Sequence, residues 1–303
     1  MTIPEEYGGH GLGITEATIL AEEVARSGGA MNAASSIHMS IFGMQPVVVF
    51  GSEEMKKATL PRIVNGDLHV CFGVTEPGAG LDTSRITTFA KRDSSGEFYT
   101  VNGRKVWISK ALESEKILLL TRTESRDDVE KRGGKPTEGL TLFLTDIDRD
   151  HVDIRPIKKM GRNAVSSNEV FIDDLRIPVC DRIGDEGKGF SYILHGLNPE
   201  RMLIAAEALG IGRVALDRAV KYANERVVFD RPIGMNQGIQ FQLADSLARL
   251  DAAELILRKA TWPYDNGKPF GRGANMAKHL GADAGLQAAA RALQAHGRAG
   301  FPR

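Results

Sequence analysis

The sequence predicts a multidomain α+β protein in which helices come first, a β domain follows and a helical bundle closes the chain. Three observations predict it. Helical periodicity with capping residues occupies residues 15–64. Short β-branched and apolar runs of strand length take over near residue 70. Helical spacing returns from residue 185 and persists to the end. At 303 residues the chain is long for a single core, which agrees with two or three domains. A hydrophobic content of 42% and a charged content of 26% are globular values.

Residues 3–13 form a Gly-rich loop. It is not GxGxxG and no strand precedes it, so a nicotinamide site is not expected there. Residues 15–26 read as a helix capped by Thr15, with Ile19, Leu20 and Val24 on one side. Residues 30–50 read as a second, apolar helix. Residues 52–64 read as a third, with Ser52 as N-cap and Glu53 and Glu54 in the first turn, where the helix dipole favours them.

Strands are expected at 70–76, 85–91, 97–109, 116–122, 139–146, 152–158 and 167–177, with 116–120 and 140–144 the most buried. Within 97–109, Asn102-Gly103 reads as a hairpin turn between strands at 98–101 and 105–108. Several short strands at this spacing suggest a small barrel or sandwich. Residues 124–139 are charged and Gly-rich, a solvated insertion.

In the last third, Asn198 is expected to cap a long helix with Pro199 as its first residue, running to about residue 228. Gly210 and Gly212 inside it cost roughly 1 kcal/mol each against Ala, so they point to close packing. Two more long helices are expected at 236–266 and 273–296. Domain boundaries are accordingly placed at 1–69, 70–180 and 181–303.

Composition excludes several function classes. With 39 basic and 39 acidic residues the formal charge is zero, so neither nucleic acid nor an anionic membrane is indicated as partner. Cys71 and Cys180 form no CxxC, so no disulfide framework or thiolate metal site is expected, and a reducing intracellular compartment is the default. The 7 histidines show no ligand spacing, so no metal is expected. There is no apolar run of about 18 residues, no signal or transit segment, and hence no expected membrane span. GxSxG and Walker A motifs are absent, which argues against hydrolase and P-loop chemistry.

The stretch 71–109 carries the chemistry. Thr75-Glu76-Pro77-Gly78-Ala79-Gly80 is a turn in which Gly78 and Gly80 are free to take positive φ and let a ligand approach the backbone. Trp107-Ile108-Ser109 sets a flat apolar face beside a hydroxyl, a combination that suits a planar heteroaromatic ring. Taken singly, the turn reads as an ordinary loop and Trp107 as an ordinary core residue. Together, at this spacing, they resemble the TEPxAGSD-type loop and the W-I-[ST] segment of the acyl-CoA dehydrogenase family, and the resemblance covers essentially the whole chain.

That resemblance implies an N-terminal helical domain, a middle β-barrel domain and a C-terminal four-helix bundle. It also implies that the first domain is partial and the bundle truncated, because relatives extend beyond both ends. The implied reaction is FAD-dependent α,β-dehydrogenation of an acyl-CoA thioester, with electrons passed to an electron-transfer flavoprotein. Phe72, Val74, Thr75, Gly80, Leu81, Trp107, Ile108 and Ser109 would hold the isoalloxazine and ribityl end of FAD. Arg226 and Gln237 would reach the cofactor of a neighbouring subunit, which implies a homodimer or homotetramer; the alternative for Arg226 is a surface residue at a helix end. Gln294 and Gly297 fall in the family's Q-x-x-G-G, where Arg298 replaces the second Gly. Leu81 replaces the family's Ser near the acyl-CoA entrance. Asn198 and Arg201 fall at the substrate, and Glu200 stands where one branch of the family places its catalytic base. Two alternatives accompany this reading: a shortened, non-catalytic paralogue that serves as a dimerisation partner, and a dehydrogenase acting on an unusual acyl group in secondary metabolism.

Overall fold

In the computed structural model the described residues are 1–300; the last three residues of the expected 181–303 domain lie outside them. The chain divides into two compact units, each discontinuous in sequence. The first comprises Met1–Gly11 and Met39–Leu197; the second comprises Leu12–His38 and the chain from Asn198 on.

The first unit holds α3 (Gln45–Phe50), α4 (Glu53–Asn65) and an eight-stranded sheet. Its strands are β1 (Val70–Gly73), β2 (Phe89–Arg92), β3 (Phe98–Ser109), β4 (Lys116–Arg122), β5 (Leu140–Asp146), β6 (Val152–Pro156), β7 (Ser167–Pro178) and β8 (Arg182–Ile183). The order across the sheet is β6-β7-β3-β2-β4-β5-β8, with β1 parallel to β4. Strand β4 is buried on both faces. Leu118 and Leu120 enter one apolar core while Ile117 and Leu119 enter another. Each such side chain contributes about 1.5–3 kcal/mol on burial, which makes β4 and its partner β5 the backbone of the unit. The Ser52 cap forms as expected: Ser52 Oγ accepts from the Met55 N–H at 3.1 Å.

The expected hairpin at 98–108 does not exist. Strand β3 is continuous and pairs with β7 from Phe98↔Pro178 to Ser109↔Ser167, and β2 lies on its other side. Gly103 serves close approach and not a turn: a Cβ there would lie 2.4 Å from Thr88 Oγ1. Asn102 donates through Nδ2 to Asp174 and accepts from the Asp174 N–H, each at 2.9 Å, so its side chain locks β3 to β7. The insertion at 124–139 contains a short helix, α5 (Arg126–Lys131), and is tied down by Arg132, which donates to Glu124 and Glu138.

In the second unit, α1 (Ile14–Val24) is not capped by Thr15. Asp265 caps it, accepting from the Ile14 N–H at 2.7 Å and the Thr15 N–H at 3.1 Å. The expected helix at 30–50 is two helices, α2 (Ala30–Phe42) and α3, because the chain turns at Gly43-Met44. One 18-residue window within Ile14–Phe50 is apolar enough to cross a membrane by length and composition, contrary to the expectation of none. More than half of that window is buried inside the protein, as in a core helix, and Gly28 and Ala30 break the helical geometry at φ 103° and 47°.

The long helix α6 (Gly189–Glu225) corrects the Asn198 cap. The helix is already formed ten residues before Pro199, so Pro199 sits in its interior and removes one backbone hydrogen bond without starting anything. Helices α7 (Gln237–Asp265) and α8 (Gly271–His296) agree with expectation. The interior glycines of α6 pack as inferred: a Cβ on Gly210 would lie 2.2 Å from the Glu22 carbonyl oxygen.

Candidate functional site

In the first unit the loop 75–80 is built from a buried ion pair outward. The Glu76 carboxylate accepts from the Thr87 N–H at 2.7 Å and the Thr88 N–H at 3.0 Å, and from both threonine hydroxyls. Its fifth donor is Lys105, at 2.8 Å. Lys105 Nζ also donates to the carbonyls of Val74 and Leu120, at 3.1 and 2.7 Å, so all three ammonium protons are used. Burial works to raise the Glu76 carboxyl, but Lys105 and the Thr87–Thr88 donors override it and hold the group down at about 2. Burial pulls the Lys105 ammonium down to about 8 against the attraction of Glu76.

The loop closes on itself through paired Glu76–Ala79 backbone bonds and is tied to β3 by the Val106 N–H, which donates to Thr75 at 2.9 Å. Gly78 and Gly80 do not take positive φ. Their contribution is open space, since a Cβ on either would meet nothing within 4 Å. The backbone there is unobstructed.

Strand β3 slips register between Lys105 and Ile108. Lys105 and Val106 are both buried, which breaks the alternation of an ordinary strand. The slip puts Trp107 at φ 63°, a conformation a bulky residue rarely adopts, and leaves its side chain 60% exposed. Ile108 turns inward, and its carbonyl accepts from Asn168 Nδ2 at 2.9 Å. Thr75 and Ser109 are half-buried, as is Phe72, which packs edge-on against Phe42. Val74 is buried and offers only backbone; Leu81 is fully exposed. A presented indole, two accessible hydroxyls and an unobstructed backbone fit a flat ring with one polar edge.

In the second unit Glu200 and Arg201 lie half-buried on α6, and Arg201 donates to Asn198. Burial raises the Glu200 carboxyl above its usual range; His38, Arg201 and Lys278 pull it down, and Glu207 adds to the rise. The N-terminus of α6 does not act on Glu200, because the helix starts at Gly189. Arg226, Gly297 and Arg298 line one cavity of about 600 Å³ with Tyr222 and His296, whose rings stack at 4.6 Å. Among its lining residues there is no carboxylate, so the donor set fits an anion. Gln294 lines a different cavity with Arg291, and Gln237 is exposed at the start of α7.

Sequence reasoning missed Lys105, Glu76, His38 and Glu207 as buried polar residues that build these regions. The signal for two of them is visible afterwards. Glu207 interrupts the apolar run Leu203–Leu209 on a helix face, and Lys105 falls on the inward side of β3.

The chain matches the acyl-CoA dehydrogenase N-terminal domain over residues 1–67, the middle domain over 71–175 and the C-terminal domain over 187–303. It is 36% identical over 308 residues to acyl-CoA dehydrogenase FadE12 of Mycobacterium tuberculosis, covering 100% of this chain and 76% of that protein. It is 34% identical to a 3-(aryl)acrylate reductase of Clostridium sporogenes, covering 99% of this chain and 77% of the relative. Among solved structures, butyryl-CoA dehydrogenase from Megasphaera elsdenii superposes with a TM-score of 0.92 at 30% identity, over 99% of this chain and 77% of that one.

Proposed function

The chain belongs to the acyl-CoA dehydrogenase family, and on that premise we propose that it removes hydrogen from the α and β carbons of an acyl-CoA thioester with FAD as cofactor. The observation that carries this reading is the bulge in β3, which presents Trp107 beside a loop held by Lys105 and Glu76. A relative that is a 3-(aryl)acrylate reductase supports the same bond chemistry, because reduction of an acrylate saturates the double bond that this reaction would form.

In this proposal Phe72, Val74, Thr75, Gly80, Leu81 and Trp107 to Ser109 hold the ring end of the cofactor. Arg226, Gln237, Gln294, Gly297 and Arg298 belong to its adenosine–diphosphate end, where a guanidinium fork matches phosphate oxygens. Bound FAD would supply the two-electron acceptor for the β-hydride. Glu200 accepts the α-proton, and burial raises its carboxyl above the usual carboxylate range, which makes it a stronger base. Asn198 and Arg201 line the substrate beside it. Electrons pass on to an electron-transfer flavoprotein, the acceptor that the family resemblance implies. Arg226 and Gln237 complete a neighbouring subunit's cofactor, so a homodimer or homotetramer is the working state. The division into domains at 1–69, 70–180 and 181–303 is part of the same proposal.

The test is direct. The purified protein, loaded with FAD under anaerobic conditions, is mixed with a panel of short, medium, branched and aryl acyl-CoAs. Bleaching of the flavin band by at least one of them is expected. Glu200→Gln should keep bound FAD and thermal stability and lose bleaching by orders of magnitude. If no acyl-CoA bleaches the parent, the chain is a non-catalytic member of the family. If Glu200→Gln bleaches at the parent rate, the base lies elsewhere.

A further inference from the structure

One amide inside the first unit holds the backbone from which Ser109 projects. Asn168 stands on the inward row of β7 with Val170 and Ile172, and all three are buried. Its Nδ2 donates to the Ile108 carbonyl at 2.9 Å and to Ser166 Oγ at 3.0 Å. The nitrogen must face that way, because a carbonyl only accepts and the Ser166 hydroxyl donates its own proton to Glu113 Oε2 at 2.8 Å. Both amide protons are thus used, while Oδ1 has no hydrogen-bond partner among the described residues. An orphaned buried acceptor is costly, and an apolar side chain would fill the row without it. Packing therefore does not account for an asparagine here; the bond to Ile108 does.

That bond falls where the backbone needs holding. Trp107 and Lys110 both take left-handed conformations, at φ 63° and 60°, and Ile108 and Ser109 lie between them. Residues other than glycine stay in that region only when their surroundings fix them. Strand β7 and the residue before it hold this arc at two points. Asn168 takes the Ile108 carbonyl, and the Ser166 carbonyl takes the Lys110 N–H at 3.1 Å. The Ile108–Ser109 peptide is trans, so turning its carbonyl to Asn168 turns the Ser109 N–H away from Asn168. One buried side chain thereby sets the peptide plane from which the Ser109 hydroxyl also departs.

We propose that Asn168 is a positioning residue for the flavin ring: it fixes the Ile108–Ser109 peptide so that the Ser109 N–H and hydroxyl meet the ring's polar edge. This rests on the reading of Trp107 to Ser109 as the ring site. Asn168 acts through Ser109 and does not touch the cofactor.

The experiment compares the parent with Asn168→Leu, which is close in size and removes both the donor and the orphaned acceptor. FAD is titrated into the flavin-free proteins, the absorption of the bound flavin is recorded, and the flavin-free forms are melted. Asn168→Leu should bind FAD about two- to tenfold more weakly, the range that one net hydrogen bond covers. The long-wavelength flavin band should shift, because the ring's polar edge loses an aligned donor. The flavin-free melting temperature should stay within about 4 °C of the parent. A packing role would instead lower that temperature and leave the flavin band in place, which overturns the proposal. If Asn168→Leu does not fold, Asn168→Ala, which adds no bulk, carries the same test. Ser109→Ala and Trp107→Gly are the controls. If they weaken FAD binding and the Asn168 variant does not, the role of Asn168 alone falls. If none of the three weakens it, the ring site lies elsewhere and this proposal falls with that reading.

Discussion

Lys105 Nζ lies 2.8 Å from Glu76 Oε1, with both side chains buried. The two residues are 29 positions apart and join the inward face of β3 to the turn that follows β1. Two charges taken out of water recover their hydration only if every remaining proton and lone pair is matched. Here the ammonium has three acceptors and the carboxylate five donors. The pair therefore acts as a rigid pin that sets where Trp107 emerges, two residues further along β3.

Removing one half of the pin should be severe. Lys105→Met leaves the Glu76 carboxylate buried without its counter-ion, and a loss of about 3–5 kcal/mol is expected. Thermal unfolding followed by circular dichroism measures it. Lys105→Met/Glu76→Leu should recover part of the loss, since it leaves no charge unpaired. A single variant as stable as the parent would show that the pair is not buried in solution.

The same pair makes an acid-stability prediction. The Glu76 carboxyl falls from 4.5 to about 2 on folding. A depressed acid binds fewer protons folded than unfolded, so its stabilisation is complete above the unfolded value and is lost as pH falls through the folded one. The melting temperature should drop between about pH 4.5 and pH 2, and Glu76→Gln should flatten that part of the curve. Parallel curves for the two proteins would contradict the shift.

Trp107→Gly separates fold from ligand. Glycine accepts φ 63° without steric cost, and the indole it removes is 60% exposed. The flavin-free protein should therefore melt within about 1 kcal/mol of the parent, while FAD retained through gel filtration should fall several-fold. Unchanged FAD content would remove Trp107 from the ring site.

Gly103→Ala tests the continuous strand. The new Cβ would stand 2.4 Å from Thr88 Oγ1, and Thr88 is itself held by Glu76. A loss of about 1–3 kcal/mol in thermal unfolding is expected. A turn at Asn102-Gly103 would tolerate alanine at lower cost, so a neutral result would restore the hairpin.

These cases mark what can be read from a one-dimensional string. Strand β4 was legible because both of its faces are apolar, and α4 because Ser52 and two acidic residues sit at its start. The Asn102-Gly103 turn was misread because that signal is local, whereas the demand for glycine comes from Thr88 on the neighbouring strand. Asn198-Pro199-Glu200 was misread for the same reason: nothing within those residues tells that a helix has already begun at Gly189. Trp107 and the 75–80 loop were recognisable as a pair. Their support was not, since Lys105 meets Glu76 and His38 meets Glu207 across 29 and 169 positions.

The Asp265 cap on α1 has a consequence for how the protein is made. The first N–H groups of α1 are satisfied by a carboxylate 251 residues downstream, and Leu12–His38 shares its compact unit with the chain from Asn198 on. A ribosome adds roughly 5–20 residues per second, so this apolar segment waits on the order of ten seconds or more for the helices that cover it. Met39–Leu197 emerges and can condense in the meantime. The nascent chain thus carries an exposed greasy arm throughout the synthesis of its sheet, an obvious client for a holding chaperone. Slow codons between residues 38 and 198 would prolong that exposure.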